Sequence, residues 1–184
     1  MRELVAAGKT WKAYIEGYPS YDANHVPMSD FSDIRNNPTQ AANMVPFTQF
    51  ATDLANGTLP QFSFITPNLC NDAHDCALSV ADTWLQTNIA PLISSTLFQT
   101  DGLLIVWWDE AASDNTNGGG KVAWTVVSPF AKRGYQSTTF YQHPSTLRLM
   151  LKALGVTVFP GDAASAPDMD EFFTIPVGPA ARVP

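Results

Sequence analysis

Apolar positions in this chain fall into short runs separated by polar stretches rich in Pro, Asn and Gly. The densest run is Leu103-Leu104-Ile105-Val106-Trp107-Trp108. Such an unbroken run predicts a strand buried on both faces, as in a parallel sheet flanked by helices. Residues 10–15 alternate and predict another strand, as do residues 61–66 and residues 122–127, the last stopping at Ser128-Pro129. Helical patterns lie between them. Residues 2–8 read as a helix stopped by Gly8, and residues 46–56 as a helix opened by Pro46 and closed by Gly57. Ser79 and Asp82 form a capping-box pattern ahead of Leu85, Ile89, Leu92 and Ile93, a helix that Pro91 should kink or divide. Leu147, Met150, Leu151 and Leu154 mark a helix over residues 144–154 that ends at Gly155.

Strands alternating with helices predict an α/β fold, a three-layer αβα domain with a mostly parallel sheet, over residues 1–173. Residues 174–184 are Pro-rich and read as a tail. Residues 16–45 read as one long irregular loop, a length that in a compact domain usually serves function.

Composition narrows the function classes. A hydrophobic content of 45% with 15% charged residues is globular. The formal net charge of −7, with no Lys/Arg cluster, argues against nucleic-acid binding through phosphate neutralisation. No stretch is apolar for long enough to span a membrane, and no signal peptide precedes the first helix. The two cysteines, Cys70 and Cys76, suit a small local disulfide in a secreted or periplasmic protein, with a reduced cytosolic pair as the alternative.

Three segments carry unusual chemistry. Asp109 and Glu110 follow the apolar run, where an α/β sheet presents its ligands. Adjacent acids repel unless a cation or a shared proton relieves them, so they point to a divalent metal. Zn²⁺, Mn²⁺, Mg²⁺ and Ca²⁺ fit equally. Residues 67–76 pack Asn68, Asn71, Asp72, His74 and Asp75 between a proline and two cysteines, a set suited to a metal or an anion. His143, ahead of Pro144 and Ser145, stands at the edge of a helix N-terminus, where anions are favoured. Each has a plainer reading as a solvated turn, an Asx-rich turn or a helix cap.

The segments 8–16, 59–68, 71–75, Trp108-Asp109-Glu110 and 143–148, taken in this order, resemble the phosphoesterase family of acid phosphatases and phosphatidylcholine-type phospholipases C, in the alkaline-phosphatase-like superfamily. The resemblance spans residues 2 to about 173. It implies hydrolysis of phosphate esters or phospholipid headgroups through a metal-activated Ser or Thr. Asp109 and Glu110 would be metal ligands, His74 and Asp75 would line the phosphate, His143 would sit near the metal or leaving group, and Asn68 would shape the loop.

The family's opening strand ending in Glu-Asn and its nucleophile segment have no counterpart here, which implies an N-terminally truncated chain. Its exposed sheet edge would then favour a homo-oligomer. Where the family tends to carry His-Asn-Pro in the long loop, this chain has Asn36-Asn37-Pro38. Two other readings stand beside the phosphoesterase. One is a non-catalytic remnant that binds metal or phosphate. The other is a carboxylester hydrolase using Ser145 beside His143, or Ser128, although no Gly-x-Ser-x-Gly elbow occurs.

Overall fold

A computed structural model describes residues 1–178, and the remainder of the Pro-rich tail, residues 179–184, lies outside the described residues. The chain divides into two compact units, Met1–Ile93 and Ser94–Pro184. The class is α/β, as the alternation of elements predicts.

The first unit runs α1 (Arg2–Ala6), β1 (Trp11–Ile15), α2 (Ser32–Arg35), α3 (Pro38–Ala41), β2 (Met44–Pro46), α4 (Thr48–Asn56), β3 (Phe62–Thr66), α5 (Leu78–Asn88) and α6 (Ala90–Ile93). Its three strands pair in parallel in the order β2-β1-β3. As the central strand, β1 does not alternate as its sequence predicts. Trp11, Ala13, Tyr14 and Ile15 are all buried, and Tyr14 packs edge-on against Phe50 of α4 at 5.3 Å between ring centres. The exception is Lys12, whose ammonium reaches the buried carboxylate of Asp53 on α4.

Asp53 also accepts hydrogen bonds from Tyr14 Oη at 2.7 Å and Gln49 Nε2 at 3.1 Å. Burial alone would push this carboxyl up. The hydrogen bonds from Lys12, Tyr14 and Gln49 outweigh burial and hold it at about 2. The network ties α4 to β1 through polar groups that are each satisfied.

Several local expectations are overturned here. The segment 16–45 is not one irregular loop, since it contains α2, α3, two short 3₁₀ turns and the start of β2. Asn37 caps α3 by accepting the Thr39 and Gln40 N–H groups, so Asn36-Asn37-Pro38 is a helix start. These four-residue helices are too short for an apolar period to register. Pro46 does not open α4. It closes β2 opposite Ile15, and the helix begins at Thr48. The helix α5 starts at Leu78 with Ala77 as its N-cap, so Ser79 is already helical and the capping box does not form. Pro91 does divide the region, falling in the first turn of α6.

The second unit comprises α7 (Thr96–Asp101), β4 (Leu104–Trp107), β5 (Trp124–Val127) and α8 (His143–Ala153). The hydrophobic pattern did not reveal α7, which Ser95 caps through the Phe98 N–H. The strands β4 and β5 pair antiparallel, and every residue of β4 is only partly buried. The apolar run marks a strand correctly, but one whose residues are partly rather than fully buried. Ile105 packs with Trp124 and Val126 against buried Leu149, Met169 and Phe173.

Two cations of α8 hold the following segment. Arg148 donates to the carbonyls of Ala163 and Ala164 and stacks on Phe159 at 4.5 Å, while Lys152 binds Asp168 and Asp170. Thr174, where the tail was expected to start, hydrogen-bonds the Phe130 carbonyl through both its N–H and its hydroxyl. No helix among the described residues is long and apolar enough to cross a membrane.

Candidate active site

In the first unit the candidate loop is residues 67–76, launched from the carboxyl end of β3. Cys70 and Cys76 are disulfide-bonded, which resolves the open alternative and closes the loop on itself. Asn68 folds the start of the loop. Its Oδ1 accepts the N–H groups of Cys70 and Asn71, both at 3.0 Å, an Asx turn. Asp72 accepts the His74 N–H at 2.8 Å on one oxygen and faces His25 Nδ1 at 3.0 Å on the other. His74 Nδ1 lies 2.7 Å from Asp75 Oδ1. Ala73, between them, has φ +71°, a left-handed turn that sets Asp72 and His74 around it.

The His74–Asp75 hydrogen bond raises the His74 pKa, and the charges of Asp75, Asp72 and Asp22 add to this. With Nδ1–H donated to Asp75, Nε2 is the ring nitrogen left to meet a ligand. His74 is exposed, so the charged form carries little desolvation cost.

Two residues of this site were not picked out from the sequence. His25 arrives from a 3₁₀ turn in the long segment, and its ring lies 5.7 Å from that of His74. The available signal was His25-Val26-Pro27, a histidine just ahead of a proline-opened turn, outweighed by reading the whole stretch as irregular. Glu16 follows β1 directly. Its carboxylate accepts the Asn68 N–H at 2.9 Å, Asn71 Nδ2 at 2.9 Å on both oxygens, and Trp84 Nε1 at 3.4 Å.

In the second unit, Asp109 and Glu110 follow β4 and are exposed. Asp109 Oδ1 accepts the Glu110 N–H at 3.0 Å, and the loop closes with Ala111 N–H on the Gly119 carbonyl at 2.8 Å. Gly120, at φ +73°, has no room for a Cβ against Asp114 and Ala111. His143 is the first residue of α8 rather than its cap, which is Gln142. Its Nε2 lies 2.6 Å from the backbone carbonyl of Asp109. A carbonyl only accepts, so Nε2 carries the proton and Nδ1 is the nitrogen open to a ligand. Beside it lies a hollow of about 490 Å³, lined by Trp107, His143, Pro144, Leu147, Met150 and Asp162 among others.

The structure therefore gathers His74 with Asp75, Asp72, Asn68 and Asn71 in one loop, and sets His143 of α8 against the backbone carbonyl of Asp109, which Glu110 follows in the chain. Among the described residues no three His, Cys, Asp or Glu side chains gather to hold a metal ion. In kind, two carboxylates and an imidazole are donors that fit a hard or borderline divalent ion. Ser145 is 1% exposed with its hydroxyl unpartnered, and Ser128 accepts the Phe130 N–H as a turn cap. Neither is placed as an accessible nucleophile against a histidine.

The profile of the phosphoesterase family matches residues 1–157. A probable acid phosphatase of Kluyveromyces lactis is 36% identical over 137 residues, covering 72% of this chain and 32% of that protein. An acid phosphatase of Aspergillus fumigatus is 35% identical over 131 residues, 69% of this chain and 29% of that one. A phosphatidylinositol-3-phosphatase of Mycobacterium tuberculosis is 31% identical over 125 residues, 62% of this chain and 40% of that one. The chain thus spans about a third of the length of the curated relatives it matches.

Proposed function

This chain belongs to the phosphoesterase family, and we propose that it serves the hydrolysis of phosphate esters, with residues 67–76 as its phosphate-facing loop and Asp109 and Glu110 as ligands of a divalent metal ion. The observation that carries this reading is the His74–Asp75 pair, held on a disulfide-closed loop at the carboxyl end of β3. An imidazole whose pKa is raised by its carboxylate partner stays protonated further toward neutral pH, which suits a phosphate dianion. From Nε2 it donates a hydrogen bond to a phosphoryl oxygen, or a proton to the departing alkoxide. Asp75 keeps the ring's orientation and tautomer.

His143, with Nε2–H fixed on the Asp109 carbonyl, braces the strand end that carries Asp109 and leaves Nδ1 as the nitrogen that would serve a divalent ion as a ligand. When bound, a divalent ion would offset the adjacent acids and polarise the phosphoryl group.

Two substrate classes fit this reading, a phosphomonoester or the phosphorylated headgroup of a lipid, and the relative named phosphatidylinositol-3-phosphatase supports the second. The disulfide supports an oxidising location, secreted or periplasmic. Association of copies through a sheet edge belongs to the same proposal, and light scattering of the purified chain tests it.

The deciding experiment is nitrophenyl phosphate hydrolysis with added divalent metals, with chelator, and with Asp109→Ala. Metal-dependent turnover that is abolished by chelator and by the substitution is the expected result. A folded chain that binds metal or phosphate without turnover would instead be a binding module, and turnover of a nitrophenyl carboxylate that resists chelator would support the carboxylester alternative.

A further inference from the structure

We infer that Glu16 is the positioning residue of the phosphate-facing loop, a role that rests on the phosphate-ester reading of that loop. Glu16 stands one residue beyond β1, the central strand, and its N–H continues the ladder by donating to the Thr66 carbonyl at 3.0 Å. Its backbone is therefore part of the most buried strand of the unit. Gly17, at φ +84°, then turns the chain away, which leaves the Glu16 carboxylate at the mouth of the loop.

Donors from two different elements converge on that carboxylate: the Asn68 N–H and the Asn71 amide from the loop, and the Trp84 indole from α5. Asn71 meets both oxygens at 2.9 Å. A carboxylate offers enough lone pairs to accept all of these at once, and hydrogen bonds to an ionised acceptor are about twice as strong as neutral ones.

The effect propagates along the loop. Asn68 and Asn71 are joined by the Asx turn, the disulfide starts at Cys70, and Asp72 follows to accept the His74 N–H. Glu16 thus transmits the position of a rigid strand to an exposed histidine that it does not touch. It spends its acceptor capacity on the loop rather than on substrate. Displacing a positioned group by about 1 Å can cost on the order of a hundredfold in rate.

The test compares wild type, Glu16→Gln and Glu16→Ala by kcat and KM on nitrophenyl phosphate and by amide hydrogen exchange. For Glu16→Ala, kcat/KM should fall about a hundredfold. Exchange at Asn68, Cys70 and Asn71 should rise about tenfold or more, while β1 and β3 keep their protection. Glu16→Gln retains one acceptor oxygen and should recover to within about tenfold of wild type. Unchanged loop exchange, a rate within about twofold of wild type, or protection lost equally across β1 and β3 would each overturn the inference. If wild type hydrolyses no phosphate ester, that reading fails by itself, and the exchange data still decide whether Glu16 anchors the loop.

Discussion

The two loops that carry the candidate chemistry are built in opposite ways. Residues 67–76 are tied by a disulfide, by the Asn68 turn, by the Asp72 contacts to His25 and His74, and by Glu16 from the central strand. The loop after β4 is exposed and closes through backbone bonds of Ala111, Gly118 and Gly120, with glycines at 118–120 all at positive φ. The first arrangement suits groups that must meet a ligand in a set orientation. The second suits carboxylates whose geometry a bound cation can complete, since a metal supplies its own ordering energy. On the proposed reading, positioning would be built into the protein where hydrogen-bond donors and a ring must aim, and left adjustable where a bound cation supplies the order.

The largest effect expected from testing this contrast is at His74. His74→Ala should lower kcat/KM on nitrophenyl phosphate by about a hundredfold, the usual scale of one general acid or base. The pH profile adds a sign. The raised pKa of His74 means the protonated form persists to higher pH, so wild-type activity should fall as pH climbs through it, and the variant should lack that limb. A variant with the wild-type profile would remove His74 from the chemistry and, with it, the reason for so rigid a loop.

Removing the disulfide with Cys70→Ser and Cys76→Ser should cost about 2 kcal/mol in urea unfolding, the scale for a loop this short. Exchange should rise in residues 67–76 and stay unchanged in the loop after β4. Equal loosening of both would erase the contrast.

The framework under the first loop has its own pH signature. Asp53 is lowered from 3.8 to about 2, so its contribution is fully present above 3.8 and is lost as pH falls toward 2. About 2 kcal/mol of stability should disappear across that window, and Asp53→Asn should lack this acid dependence in unfolding experiments at graded pH.

The smallest effect concerns the open loop. Gly120→Ala forces a left-handed residue against Asp114 and Ala111 and should cost about 1–2 kcal/mol or reshape the loop. In metal titrations with calorimetry, weakened binding with unchanged His74 behaviour is expected, and unaltered affinity would show that the loop's shape does not matter to the ion.

Much of this was legible in the sequence. The strands at 10–15, 61–66, 103–108 and 122–127 were each found to within two residues or so at either end, because short apolar runs bounded by turn residues identify strands well. The placing of Asp109-Glu110 at a strand end follows from adjacency, whereas the hydrogen bond between the neighbours His74 and Asp75 was seen only in the structure. The failures have a common physical cause. Whether the apolar run of β4 lies in a parallel or an antiparallel pair, and how deeply its residues are buried, depends on partners distant in sequence. The capping box at Ser79 and Asp82 is a local preference, and the helix that forms begins ahead of it.

By itself, then, the amino-acid sequence determined the class of fold, the family and the loops in which acids, amides and imidazoles are concentrated, because periodicity, turn chemistry and adjacency are all short-range. Only the tertiary structure decided that Glu16 reaches Asn68 and Asn71, that His25 joins Asp72, that His143 braces the Asp109 carbonyl, and that Ser145 is buried. Apart from Ser145, which is hidden by packing, each of these joins residues more than thirty positions apart. Such contacts exist only once parallel strands have brought their carboxyl ends together, or once a helix has closed on its strand.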